Sequence, residues 1–243
     1  MRDAAEFHLF SGEHLLVLLL YTVAAWWGGR ILKRYQGDKA WKHFRLIMGI
    51  LIGATMILGP VVASYNGDFS LPEDLPLHVC GISRLLTVIY LIFPRKKLLN
   101  ILYYWGVGGG LLALLIPDLQ HGYPNPEFFT FFLSHGVTLF TLLGVVVVFH
   151  HQPSPASHWT AFLTLNVVAF GLVYPLDRLL GANYMYLLSP PAVDFTPVTW
   201  LPAWPWYLLL VDGFMLLWFW LCAQPLRRLS HQESLATIKP QVR

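Results

Sequence analysis

Seven apolar stretches, each close to the roughly 20 residues a helix needs to cross a hydrocarbon core, recur along the chain between short polar segments. They run over Leu15–Leu32, Leu46–Tyr65, Leu75–Phe93, Leu98–Ile116, Phe128–Phe149, Trp159–Leu180 and Trp204–Cys222. The pattern predicts an all-α fold, a polytopic membrane helix bundle of about seven transmembrane helices. The third stretch is the shortest. Asp74 is placed to cap it, Pro76 fits a first helical turn and Pro94 closes it.

Composition narrows the class. The chain is 56% hydrophobic and 12% charged, whereas ordinary soluble domains carry roughly 25% charged residues. The polar connections are too short to fold by themselves, so residues 1–243 read as a single integral membrane domain. A short segment, 1–13, precedes the first span, and a tail, 224–243, follows the last. No basic, apolar and small-residue order marks a removable leader, and the first span is expected to act as its own insertion signal. Cys80 and Cys222 fall near opposite faces, too far apart for a disulfide.

Lys and Arg set the expected orientation, because they are retained on the cytoplasmic side. Arg30, Lys33, Arg34, Lys39, Lys42 and Arg45 follow the first span. Arg95, Lys96 and Lys97 follow the third, and Arg227, Arg228, Lys239 and Arg243 the seventh. The opposite face has Arg2 and Arg178 beside Asp68, Glu73, Asp74, Asp118, Glu127 and Asp194. The N-terminus is therefore expected outside and the C-terminus in the cytoplasm. Trp200, Trp204 and Trp206 at one interface and Trp26 and Trp27 at the other fit this placement. The net charge of +3 does not point to nucleic acid, since the basic residues sit in short connections with no folded basic face. A membrane lipid is the expected substrate or ligand. No cofactor is implied, and protein partners are not indicated.

Ionisable groups in hydrocarbon are costly and raise the question of function. Those within or at the ends of spans are His78 and Arg84 in the third, His135 in the fifth, Asp177 at the outer end of the sixth and Asp212 in the seventh, with Cys80, Ser134 and Asn166 as polar companions. A helical rise of about 1.5 Å per residue places Cys80, His135 and Asp212 in a similar layer under the outer face. One outward-facing pocket could hold them. Cys80 and Arg84, four apart, share a helix face. A thiol near a helix N-terminus beside a guanidinium is favoured as thiolate and could attack an acyl carbonyl with histidine as base, while Asp212 or Asn166 oriented that histidine.

Plainer readings stand beside this one. A buried cysteine packs as a small hydrophobe, and an intramembrane histidine hydrogen-bonds a neighbouring helix. Arg84 with Asp212 would form a buried ion pair. His78, Cys80, His135 and Asp212 have metal-ligand chemistry but no diagnostic spacing, so no metal is expected. His150, His151 and His158 fall in a Pro/Ser-containing connection where solvated side chains are the default. The run Gly106-Val107-Gly108-Gly109-Gly110 would let another backbone approach closely. After the sixth span, Asn183-Tyr184-Met185 reads either as a rim over the pocket, Asn183 bonding a polar head group, or as a structured turn with interfacial aromatics.

Leu75-Pro76-Leu77-His78-Val79-Cys80, Pro117-Asp118, Phe131-Phe132-Leu133-Ser134-His135, Gly181-Ala182-Asn183-Tyr184-Met185 and Trp204-Pro205-Trp206-Tyr207 occur in order over most of the chain. Together they resemble the YwaF-like family of bacterial integral membrane proteins. That family is similar to eukaryotic transmembrane acyltransferases that remodel ether phospholipids and, more remotely, to membrane hydrolases of lipid esters that use threonine. The resemblance implies a bacterial cytoplasmic membrane location, an acyltransferase or lipid-ester hydrolase activity, Cys80 as nucleophile and His135 as base. His78, Arg84, Asn166, Asp177, Asn183, Tyr184 and Asp212 are the expected supporting residues, with Arg84 holding a phosphate or carboxylate. A non-catalytic carrier or receptor using the same polar pocket is the alternative.

Overall fold

The computed structural model describes residues 6–67, 69–191 and 196–238. Arg2, Asp68, Asp194, Lys239 and Arg243, which entered the charge reading, lie outside the described residues. Helices α1 (Gly12–Leu32), α2 (Asp38–Asn66), α3 (Val79–Ile92), α4 (Lys96–Leu115), α5 (Pro126–Val148), α6 (Pro155–Leu180) and α7 (Trp206–Ile238) make up the bundle. Among the described residues, six of these are long and apolar enough to cross a membrane. The exception is α3, whose 14 residues rise only about 21 Å.

Local chemistry explains where the helices begin and end. The Ser11 hydroxyl accepts the His14 N–H at the start of α1, and Arg30 occupies its last turn, complementing the dipole. Helix α2 ends at Gly67, whose φ of 80° is the left-handed geometry that glycine permits. The third span departs from expectation. Pro76 holds Leu75 in extended backbone, with ψ 144°, so helix starts only at Val79. Asp74 does not cap α3; its carboxylate accepts the Ser70 N–H and closes a separate turn, Leu71–Asp74. Helix α7 continues past Pro225 to Ile238, beyond the apolar stretch Trp206–Arg228 that can cross the membrane.

Helices α4 and α5 are the centre of the bundle. Leu102, Tyr104, Leu142 and Val145 are fully buried there, against Ile52 of α2 and Ala161 of α6. The outer faces of α1, α2, α6 and α7 present Leu16, Leu19, Leu20, Ile50, Ile57, Leu163, Val167, Leu209 and Leu217, the apolar exterior that lipid solvates. This is a multi-pass membrane protein. Each of α4, α5 and α6 contains a π-helical stretch, at Tyr103–Gly108, Gly144–Val148 and Ala169–Val173 respectively.

Hydrogen bonds tie the helices at both ends. At the face where the chain begins, His14 Nε2 lies 2.8 Å from the Leu114 carbonyl and the Tyr21 hydroxyl donates to the Phe132 carbonyl at 2.8 Å. At the opposite face Arg45 donates to the carbonyls of Leu91 and Ile92 at the end of α3. His151 Nδ1 there lies 2.8 Å from the Tyr90 hydroxyl. The histidines of the α5–α6 connection are thus not uniformly solvated: His158 is buried against Pro155 and His151 packs on Trp41, leaving His150 exposed. The glycine run of α4 admits side chains rather than a backbone. A Cβ at Gly106 would lie 2.2 Å from Leu142 Cδ1, and one at Gly108 would lie 3.3 Å from Trp218 Nε1.

Candidate functional site

Three helices place polar side chains around one narrow cavity. Its lining is Cys80, Ser83 and Arg84 from α3, Trp105, Gly106 and Gly110 from α4, and Ser134, His135 and Thr138 from α5. It has room for about one water. The local fold that delivers Cys80 depends on Gly81, where a Cβ would stand 2.8 Å from the carbonyl carbon, Cα and oxygen of Pro76. Only glycine lets the Leu75–His78 hook lie across the first turn of α3.

His135 is held from within its own helix. Its Nδ1 lies 2.8 Å from the Phe131 carbonyl, which can only accept, so Nδ1 carries the proton and Nε2 is left with its lone pair. The imidazole and the Cys80 thiol line the same cavity. With Nδ1 committed, Nε2 is the ring nitrogen left able to accept a proton there. The Arg84 guanidinium belongs to the same cavity lining. Its Nε is buried and, like the Ser83 hydroxyl, has no hydrogen-bond partner among the described residues.

Asp212 and Asn166 are elsewhere. Asp212 of α7 neighbours Asn166 of α6, whose Nδ2 donates to the Phe162 carbonyl at 3.2 Å. The expected Arg84–Asp212 ion pair is not formed; among the described residues the ion pair is His121 with Glu127, on the surface. Neither Asp212 nor Asn166 orients His135, because a backbone carbonyl one turn earlier already does. Similar depth did not bring Asp212 in, since α7 presents it to α6 rather than to α3.

The remaining candidates build a roof at the face where the chain begins. Asp177 is fully buried and its Oδ1 accepts the Tyr184 N–H at 2.9 Å. The Tyr184 hydroxyl donates to the Leu71 carbonyl at 2.6 Å and accepts the Leu75 N–H at 2.9 Å. His78 Nδ1 accepts the Met185 N–H at 3.2 Å, with the rings of Tyr184 and Tyr186 each 5.2 Å from its own. Asn183 spends its amide on the local turn, bonding Leu188, Ser189 and the Ser189 hydroxyl. His78 is absent from the cavity lining; it clamps the roof.

Tyr186 was not singled out from sequence. Its hydroxyl donates to the Asp118 carboxylate, its carbonyl accepts from the Tyr207 hydroxyl, and it lies within electrostatic range of Cys80. Burial, and then the Asp118 charge, push its hydroxyl pKa upward and keep it protonated. Met185 and Tyr186 both have positive φ, 55° and 56°, a conformation disfavoured for side chains with Cβ. Ser83 and Thr138 were legible in principle, each three residues beyond a candidate on the same helix face.

These features define a polytopic helical membrane protein with a cysteine, a histidine and an arginine meeting in its interior. The chain belongs to the TMEM164 family, whose sequence profile matches residues 9–223. A Treponema pallidum (strain Nichols) protein, described as an uncharacterized protein, is 28% identical over 123 residues, 49% of each chain. The chain thus matches over about half the length of this curated relative. No solved structure matches.

Proposed function

We propose that the protein is a membrane-embedded acyl-transfer enzyme, an acyltransferase or lipid-ester hydrolase, acting on a lipid ester with Cys80 as nucleophile and His135 as proton carrier. The observation that carries this reading is the His135 ring itself: Nδ1 is fixed by the Phe131 carbonyl, and the ring lines one small cavity together with Cys80. Membership of the TMEM164 family and the resemblance to YwaF-like proteins and ether-phospholipid acyltransferases agree with it, the latter as analogy. The protein sits in the bacterial cytoplasmic membrane with its N-terminus outside, as the Lys and Arg distribution favours.

The chemistry balances in two steps. The thiol gives its proton to Nε2 of His135 as sulfur attacks the ester carbonyl carbon; a C–S bond forms, the ester C–O bond breaks, and the leaving alkoxide takes that proton from Nε2. A hydroxyl, from an acceptor lipid or from water, then gives its proton to Nε2 and attacks the thioester; the new C–O bond forms, the C–S bond breaks, and the sulfur takes the proton back from Nε2. Incubating the purified protein with an acyl-reactive probe tests the proposal. Wild type should be labelled, and Cys80→Ala and His135→Ala should lose most of the label; equal labelling of Cys80→Ala would refute the nucleophile.

A further inference from the structure

We infer that Arg84 is a positioning residue for Cys80, its guanidinium holding the sulfur as a thiolate inside the membrane, and that it is not the grip for a lipid phosphate. The inference rests on the reading of Cys80 as the reactive group and assigns the permanently charged side chain in its cavity lining.

Depth decides against a head group. Helix α3 enters from the face where the chain begins, and Arg84 follows Cys80 by four residues, about 6 Å further from that interface. A lipid whose ester reached Cys80 would keep its head group on the interface side of the sulfur. To meet Arg84 the head group would have to pass beneath the nucleophile, into a space with room for about one water. The roof above Cys80, where His78, Asp118 and Tyr186 meet, is the side that a head group approaches.

Charge pairing points the same way. The carboxylates near the bundle interior have other neighbours: Asp212 has Asn166, Asp177 has the Tyr184 N–H on Oδ1 while its Oδ2 is buried without a partner among the described residues, Asp118 has Tyr186 and Asp74 has the Ser70 N–H. Arg84 keeps a buried Nε without a hydrogen bond among the described residues. Cys80, one turn earlier on the same face, is the group in the cavity lining that can become an anion. The titratable and charged groups around Cys80 are Arg84 from α3 and His135 from α5, which line its cavity, and, in the roof, Tyr186 with Asp118 and His78. When Cys80 ionises, its proton passes to Nε2 of His135 and the guanidinium compensates the sulfur's charge. An uncompensated thiolate in hydrocarbon would instead recover its proton.

The test reads ionisation, not turnover, in a Cys222→Ala background where Cys80 is the single cysteine. Thiolate absorbance in the ultraviolet, as a difference against Cys80→Ser, is followed with pH, together with the rate of alkylation by iodoacetamide. The parent should hold its thiolate at neutral pH. In Arg84→Gln the thiolate should be roughly tenfold or more scarcer at neutral pH and appear only on raising the pH, with Arg84→Lys restoring part of it. An unchanged profile in Arg84→Gln overturns the inference. Thermal unfolding of Cys80→Asp and Cys80→Ser is the second measurement, for use even where Arg84→Gln does not fold. An aspartate that replaces the thiolate beside Arg84 should be the more stable of the two, and a less stable Cys80→Asp contradicts the pairing. An Arg84-dependent thiolate in a protein that takes no acyl label would retain this inference and remove the acyl-transfer reading.

Discussion

His135 Nδ1 lies 2.8 Å from the carbonyl oxygen of Phe131, one turn earlier in α5. That carbonyl does for the imidazole what a carboxylate does in many Cys/His sites: it fixes the tautomer and leaves the Nε2 lone pair available. No second acidic residue is then required at the site. Asp212 is free to join α7 to α6 through Asn166.

The first prediction follows directly. His135→Ala should lower the rate of Cys80 acylation by roughly 10²- to 10⁴-fold, the usual contribution of a general acid or base. Asp212→Asn should leave that rate within about threefold of wild type, because the Asn166 contact is remote from the cavity and each further factor of ten would need ~1.4 kcal/mol of coupling. Single-turnover labelling of purified protein measures both. A collapse of labelling in Asp212→Asn would mean that the Phe131 carbonyl is not sufficient.

Gly81 should tolerate no side chain. A Cβ there meets three backbone atoms of Pro76 at 2.8 Å, and backbone cannot swing aside as a flexible side chain can. Gly81→Ala should destabilise by about 1–3 kcal/mol, as overpacking does, and dislodge the hook beside Cys80. Gly171→Ala, where nothing lies within 4 Å, is the control and should be close to neutral. Thermal unfolding in detergent compares the two.

Asp177 anchors the roof through the Tyr184 N–H. Asp177→Ala leaves that buried donor without an acceptor and should cost about 1–3 kcal/mol, while Asp177→Asn, which keeps an acceptor oxygen, should cost less. Loosening the roof should also raise the rate at which a bulky maleimide reaches Cys80. Alkylation of folded protein in a Cys222→Ala background reads this, and equal rates for Asp177→Ala and wild type would show that the roof does not limit access.

His151 gives the bundle an acid-sensitive contact at the face opposite the site. Burial, then the nearby Arg45, depress its pKa below the ordinary 6.5, and Nδ1 meets the Tyr90 hydroxyl. A depressed histidine pKa favours the neutral ring in the folded state. Its contribution is therefore present above pH 6.5 and lost as pH falls through the depressed value, because the unfolded chain takes up the proton first. The melting temperature should fall between pH 7 and pH 5, less so in His151→Gln. Parallel pH dependences for the two proteins would exclude this contact as the cause.

The membrane class and the order of the spans were written in the sequence, because hydrocarbon demands long uninterrupted apolar helices whatever their neighbours are. So was the placing of Cys80 and Arg84 on one face of α3, which needs only a helical period. The short α3 was less legible, since its start depends on Pro76 folding back against Gly81. Contacts between helices were not legible at all. Asp212 and His135 share a layer by residue counting, yet depth says nothing of how each helix is rotated about its axis. Rotation is set by packing, here by the centre that α4 and α5 form and by tyrosine hydroxyls reaching carbonyls on other helices. That packing turned His135 toward Cys80 and Asp212 toward Asn166, and it made a roof of Tyr186, a residue whose place follows from Asp118 and Tyr207, far from it in the chain.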